Sequence, residues 1–166
     1  IYDITRRPLD LGLVGLAQFL PVVFLFLPAG HAADRFNRKS LVILCYVGFA
    51  VCYALLLAIA HMGVRDTRLI YAVLVLLGIV RAFNAPSARS LLPLLVPVDV
   101  FPNAVAWNAT TFQGATILGP ALGGVLYAAL GGPAGVYGIA LIVTVAAMIT
   151  VFRLTLTEPD RPHEEV

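Results

Sequence analysis

The sequence predicts an all-α protein, a polytopic membrane bundle of five transmembrane helices. Of its 166 residues, 60% are hydrophobic and 12% charged, with a mean hydropathy of +0.94, whereas soluble domains carry roughly 25% charged residues. The charges gather in short turns and leave long apolar runs between them. A helix rising ~1.5 Å per residue needs about 20 apolar residues to cross a hydrocarbon core of roughly 30 Å, and the runs reach that length. A water-soluble globule of this size could not hide so much apolar surface. The net charge of +2 and the lack of a basic stripe with interleaved aromatics exclude nucleic acid as a partner.

The chain opens on Ile1, and the polar stretch 1–10 carries Asp3, Arg6, Arg7 and Asp10. It has neither the charged nor the apolar region of a signal peptide, so the natural start is expected to lie upstream. The first span is 11–33, with Gln18 as its only amide and Pro21 and Pro28 inside it. Proline removes a helix hydrogen bond, which membrane helices tolerate where neighbours satisfy the freed carbonyl, so a bent helix is expected. The turn Gly30-His31-Ala32-Ala33-Asp34-Arg35-Phe36-Asn37-Arg38-Lys39 follows. It is too short for anything but a tight reversal, so the first and second spans are expected to pack as antiparallel neighbours.

The second span is 40–64, ending near His61, whose position suits an interfacial residue better than a ligand. Cys45 and Cys52 lie seven apart on this span, about 10 Å along a helix axis. That exceeds the ~7 Å Cα limit for a disulfide, and both are expected to be packing residues. Arg65, Asp66 and Arg68 form the next polar turn. The third span, 69–90, contains Arg81, whose helical neighbours Leu77, Asn84, Ala85 and Ala88 form a small, partly polar face. A cation within a bilayer is costly unless it faces protein, a partner or water, which marks it as functional; the competing reading is that Arg81 snorkels to the interface.

Pro93, Pro97, Asp99 and Pro102 break the chain between 91 and 103, and residues 100–152 then carry no formal charge. Gly131-Gly132-Pro133 divides that run into spans at 103–130 and 134–153, and 154–166 reads as a solvated linker. Ala104, Asn108, Thr111, Ala115, Gly119 and Gly123 recur at helical spacing on the fourth span. Small residues at such spacing admit a second helix backbone closely. Glycines there need nothing beyond ordinary packing, whereas Asn108 and Thr111 need polar partners. Five spans put the chain ends on opposite sides of the membrane. Arg35, Arg38, Lys39, Arg89, Arg153 and Arg161 fall on one side and Arg6, Arg7, Arg65 and Arg68 on the other, which favours a cytoplasmic Asp34 turn.

Gly30-x-x-x-Asp34-Arg35-x-x-Arg38-Lys39 resembles the signature turn of the major facilitator superfamily, Gly-x-Leu-Ala-Asp-Arg-x-Gly-Arg-Lys. Ala32 replaces leucine and Asn37 replaces glycine, an exchange the turn survives if Asn37 takes a left-handed backbone. Leu77-x-x-x-Arg81-x-x-Asn84-Ala85 resembles the fourth-helix pattern of the family, with Asn84 for glutamine and Ala85 for glycine. Ala115-x-x-x-Gly119-Pro120-x-x-Gly123-Gly124 resembles its fifth-helix antiporter motif, with alanine for the first glycine. The link 91–103 followed by Ala104-Val105-Ala106-Trp107-Asn108 is similar to the bacterial drug and siderophore exporters.

The resemblance implies that 1–166 is an incomplete N-terminal six-helix bundle, family helices two to six, lacking the first helix and the second half of the same protein. It also implies a multi-pass protein of the plasma (inner) membrane whose partners are lipid, protons and a small-molecule solute. Its function would be proton-coupled efflux by alternating access, with no cofactor. Asp34 would pair with Arg38 and with a helix N-terminus of the other half as a conformational switch. Arg81, enclosed with Asn84, would relay or sense the proton by acting on a carboxylate of the first helix. Gly119, Pro120, Gly123 and Gly124 would shape packing and leak-tightness, and Gln18, Asn108 and Thr111 could line the solute cavity. An importer or uniporter, or a non-transporting fragment, stands as the alternative. No metal-ligand spacing, Gly-x-Ser-x-Gly elbow or phosphate-binding loop supports an enzyme.

Overall fold

Every long apolar run of the sequence is a helix, and every polar cluster between them is a helix end. The computed structural model describes residues 5, 7–64 and 66–154; Arg6, Arg65 and the expected linker from 155 onward lie outside these. The helices are α1 (Pro8–Arg35), α2 (Arg38–His61), α3 (Thr67–Leu91), α4 (Phe101–Ala129) and α5 (Pro133–Arg153), with two short 3-10 turns, Leu92–Leu94 and Val98–Val100, between α3 and α4.

Local chemistry sets the helix ends. Asn37 caps α2, its side chain accepting from the Ser40 backbone N–H at 3.2 Å, and Asp66 caps α3 by accepting from Arg68 N–H at 2.9 Å. Each satisfies a donor that has no partner within its own helix. The Asn37 backbone, at φ −59° and ψ 116°, is not left-handed as expected. Its capping amide is what suits it to the turn. After α4, Gly131 at φ 70° lets Gly132 N–H reach back to Tyr127 O at 3.1 Å, a glycine-dependent helix stop. Pro133 then opens α5, where its missing N–H costs nothing. The expected loop from 91 to 103 is narrower than supposed, because Pro102 lies in the first turn of α4.

The order of packing across the bundle is α1, α3, α2, α5. The first two spans are therefore not neighbours. Phe36 and Asn37 bring only their ends together, and α1 lies along α3 instead. The reason is visible at Gly78 of α3. A Cβ there would stand 2.6 Å from the Gln18 carbonyl oxygen and 3.1 Å from Gln18 Cα, so the two backbones touch at a crossing that only glycine permits. Pro21 and Pro28 lie within a continuous α1. The core is Cys52 and Leu56 of α2 with Val73 and Leu77 of α3, closed by Tyr137 of α5. Cys45 and Cys52 are free and buried, as their spacing required.

Among the described residues, four helices are long and apolar enough to cross a membrane: α1, α2, α3 and α5. The expected fifth span, α4, has the length, at 29 residues. It falls short in composition because Asn103, Asn108, Thr110, Thr111, Gln113 and Thr116 dilute its apolar side chains. No residue of α4 is buried, and its main packing is against α5 and the two 3-10 turns. Phe24, Phe26 and Leu27 of α1 and Ile142 of α5 are about 70% or more exposed. Side chains so placed are stable against acyl chains, where burial offers no further gain.

Candidate functional site

Two polar centres interrupt this apolar scaffold. One lies at the shared face where α1, α3 and α5 end and α2 begins. Gly30 is half-buried, Asp34 and Arg35 are exposed in the last turn of α1, and Arg38 and Lys39 are half-buried in the first turn of α2. The cations sit at the N-terminus of their own helix, an unfavourable place beside its positive end. They reach across to the negative ends of two others. Arg38 Nη1 donates to Ser90 O, in the last turn of α3, at 3.4 Å. Lys39 Nζ donates to Phe152 O at 2.9 Å and Leu154 O at 2.6 Å, at the end of α5. It also lies 5.8 Å from the centre of the Phe152 ring, within cation–π range.

Arg38 is thus turned toward α3, where the expectation had it pairing with Asp34. A carbonyl at a helix C-terminus has no intrahelical donor and carries the negative end of the dipole, so it competes well with a carboxylate in water. The turn ties together the ends of helices that are far apart in sequence.

The second centre lies midway along α3. Arg81 Nη1 donates to Gln18 Oε1 of α1 at 3.0 Å, a charge-assisted bond between parallel helices. Gln18 Nε2 in turn donates to Val14 O at 3.5 Å, and the residue is half-buried. Gln18, expected to line a solute cavity, has both ends of its amide engaged by protein. Arg81, expected to be enclosed, is exposed within this chain, because nothing in the α1, α3, α2, α5 row covers its outer flank. Asn84 is half-buried, and its Oδ1 is buried without a hydrogen-bond partner. An acceptor left so costs on the order of 1–3 kcal/mol, which makes this the point where the described bundle is least satisfied.

The remaining candidates are not brought to either centre. Asn108, Thr111, Gly119, Pro120 and Gly124 are exposed on α4, and Gly123 is half-buried. Among the described residues, no group of three His, Cys, Asp or Glu side chains could hold a metal. Sequence reasoning missed Gly78, and with it the Gln18 crossing; the signal was a lone glycine three residues before Arg81. It also missed the tie between the N-terminal ends of α1 and α3, where Tyr71 Oη donates to Asp10 Oδ1 at 3.1 Å.

Comparison with known proteins agrees with this architecture. The chain is 30% identical over 128 residues to the uncharacterized MFS-type transporter YfiS of Bacillus subtilis (strain 168), covering 77% of this chain and 30% of that protein. It is 28% identical over 127 residues to YkuC, another uncharacterized MFS-type transporter of the same organism, covering 76% of this chain and 29% of that protein. The chain therefore spans about 30% of the length of the curated relatives it matches. No solved structure matches significantly. The family description of the Major Facilitator Superfamily matches residues 3–166, and with five helices bounded by the turns described above, the chain belongs to that superfamily.

Proposed function

We propose that this chain is the greater part of the N-terminal bundle of a proton-coupled exporter of the plasma membrane, which moves a drug-like or siderophore-like solute by alternating access. Membership of the superfamily makes it part of a multi-pass membrane transporter rather than an enzyme. The observation that carries the finer reading is Arg81, a permanent cation inside a span, exposed on a flank the chain leaves open and held by an uncharged partner.

A guanidinium stays protonated at any physiological pH, so Arg81 cannot itself carry the proton. It acts by its field. A carboxylate facing it from the first helix of the complete protein would be held deprotonated until solute or conformation separated them. Each separation would then take up a proton from the acidic side, and each approach would release one. Asp34, exposed in the last turn of α1, would meet a helix N-terminus of the second half, a contact favoured by the dipole. The Gly119-Pro120-x-x-Gly123-Gly124 stretch of α4, exposed but for the half-buried Gly123, suits close packing against another bundle, and Asn108 and Thr111 on the same helix offer polar groups to a cavity.

The test is transport by the full-length protein. Everted vesicles, energised to hold an acidic interior, are challenged with a panel of lipophilic drugs and siderophore-like chelators while a dye reports the pH gradient. Export coupled to protons collapses part of the gradient on addition of solute. Entry of solute without such collapse would favour a uniporter, movement of loaded solute only outward would favour an importer, and no response to any solute would overturn the export reading.

A further inference from the structure

We infer that Gln18 is the positioning residue of Arg81, a neutral bracket on α1 that holds the guanidinium in one orientation without cancelling its charge. Its importance for transport rests on the coupling role proposed for Arg81, but the geometry stands apart from it. Arginine has only donors to offer, so the group facing it must be the amide oxygen of Gln18, and the amide nitrogen must face elsewhere. It does, toward Val14 O on its own helix. With the nitrogen turned to Val14 O at 3.5 Å, the amide oxygen is left to accept from Arg81 at 3.0 Å.

The bracket is also mounted rigidly. Gly78, one turn before Arg81, leaves only 2.6 Å between a would-be Cβ and Gln18 O, and 3.1 Å to the Pro21 ring. The backbone that carries the acceptor is thus pressed against the helix that carries the donor. Support of this kind holds the guanidinium where the helix crossing places it.

The choice of an amide has a consequence. A glutamate at position 18 would hold the same nitrogen more strongly but would neutralise the charge that a carboxylate or anionic group on the open flank is to meet. Gln18 leaves the field of Arg81 intact. Asn84, a turn along the same helix, has its Oδ1 unpartnered while Gln18 takes the bond, which places the anchor on α1 rather than within α3.

The test reads the guanidinium itself. The full-length transporter is labelled with ¹⁵N-arginine, placed in lipid nanodiscs, and its side-chain Nη resonances recorded; Arg81→Lys identifies the set belonging to Arg81. The expected result is a resolved, slowly rotating Arg81 set in the parent, collapsed to a freely rotating one in Gln18→Leu and in the shorter Gln18→Asn, and retained in Gln18→Glu. Gly78→Ala, which alters neither side chain of the pair, should also shift it. An Arg81 set that rotates freely in the parent, or one unchanged by Gln18→Leu, would overturn the inference. Should Gln18→Leu fail to fold, the Asn and Glu variants decide alone. Loss of transport in Arg81→Ala is scored separately, so a failed coupling role and a failed bracket cannot be confused.

Discussion

Lys39 and Phe152 lie 113 positions apart in the chain and meet at the end of the bundle where α2 begins and α5 ends, the Lys39 ammonium donating to the Phe152 carbonyl oxygen at 2.9 Å. The same ammonium reaches Leu154 O, so the second helix is stapled to the end of the fifth. Hydrogen bonds from charged groups contribute on the order of 1.5–3 kcal/mol when sheltered, and less where water competes. Lys39→Met is expected to destabilise the protein by about 1 kcal/mol, read as a lower midpoint of thermal unfolding in detergent. Lys39→Arg should recover most of it.

Gly78 tests the crossing of α1 and α3. Alanine there forces a methyl group against the Gln18 backbone, and overpacking of a tight contact costs on the order of 1–3 kcal/mol. Gly15→Ala on α1, where a Cβ meets nothing within 4 Å, should be neutral or slightly stabilising. Comparing the two variants by thermal unfolding separates a packing cost from a general effect of replacing glycine. Equal midpoints would show that the helices can part at no cost.

Asn37 separates two accounts of the signature turn. If it serves as the cap of α2, Asn37→Ala should cost about 0.5–2 kcal/mol, while Asn37→Gly, the family's usual residue, should cost only a few tenths. If a left-handed backbone were what the turn needs, glycine would stabilise. The φ of −59° argues for the first outcome, and unfolding midpoints of the two variants decide it.

Under the proposed export reading, Asp34→Asn and Arg81→Ala in the full-length protein should each abolish proton-driven efflux while leaving membrane insertion intact. Both are exposed within this chain, so neither change should cost the bundle much stability. Unchanged solute extrusion in the vesicle assay would refute the switch and coupling roles.

Topology can be checked with the cysteines already present. Cys45 and Cys52 are buried and should resist an impermeant thiol reagent, so a cysteine placed at 37 or 66 reports alone. Asn37→Cys should label from the inner side and Asp66→Cys from the outer, since α2 lies between them. Labelling of both from one side would contradict a membrane crossing by α2.

What the residues alone determined about this protein is where its chain can and cannot meet lipid. Charge clustered into 34–39 and 65–68, together with Gly131-Gly132-Pro133, announces the helix ends, because unpaired peptide groups and charges are excluded from hydrocarbon whatever the packing. The family resemblance of the Asp34 turn was legible for the same reason, being local and contiguous. Which helices touch was not. The tight reversal at Phe36 and Asn37 suggested that α1 and α2 pair, whereas the contact goes to α3, since a backbone-to-backbone crossing at Gly78 and Gln18 depends on two surfaces fitting rather than on the length of a connection. Likewise Arg38 and Lys39 were readable as charges, but their partners are backbone oxygens of Ser90, Phe152 and Leu154. A carbonyl acceptor carries no side-chain signature, so only the assembled bundle assigns it.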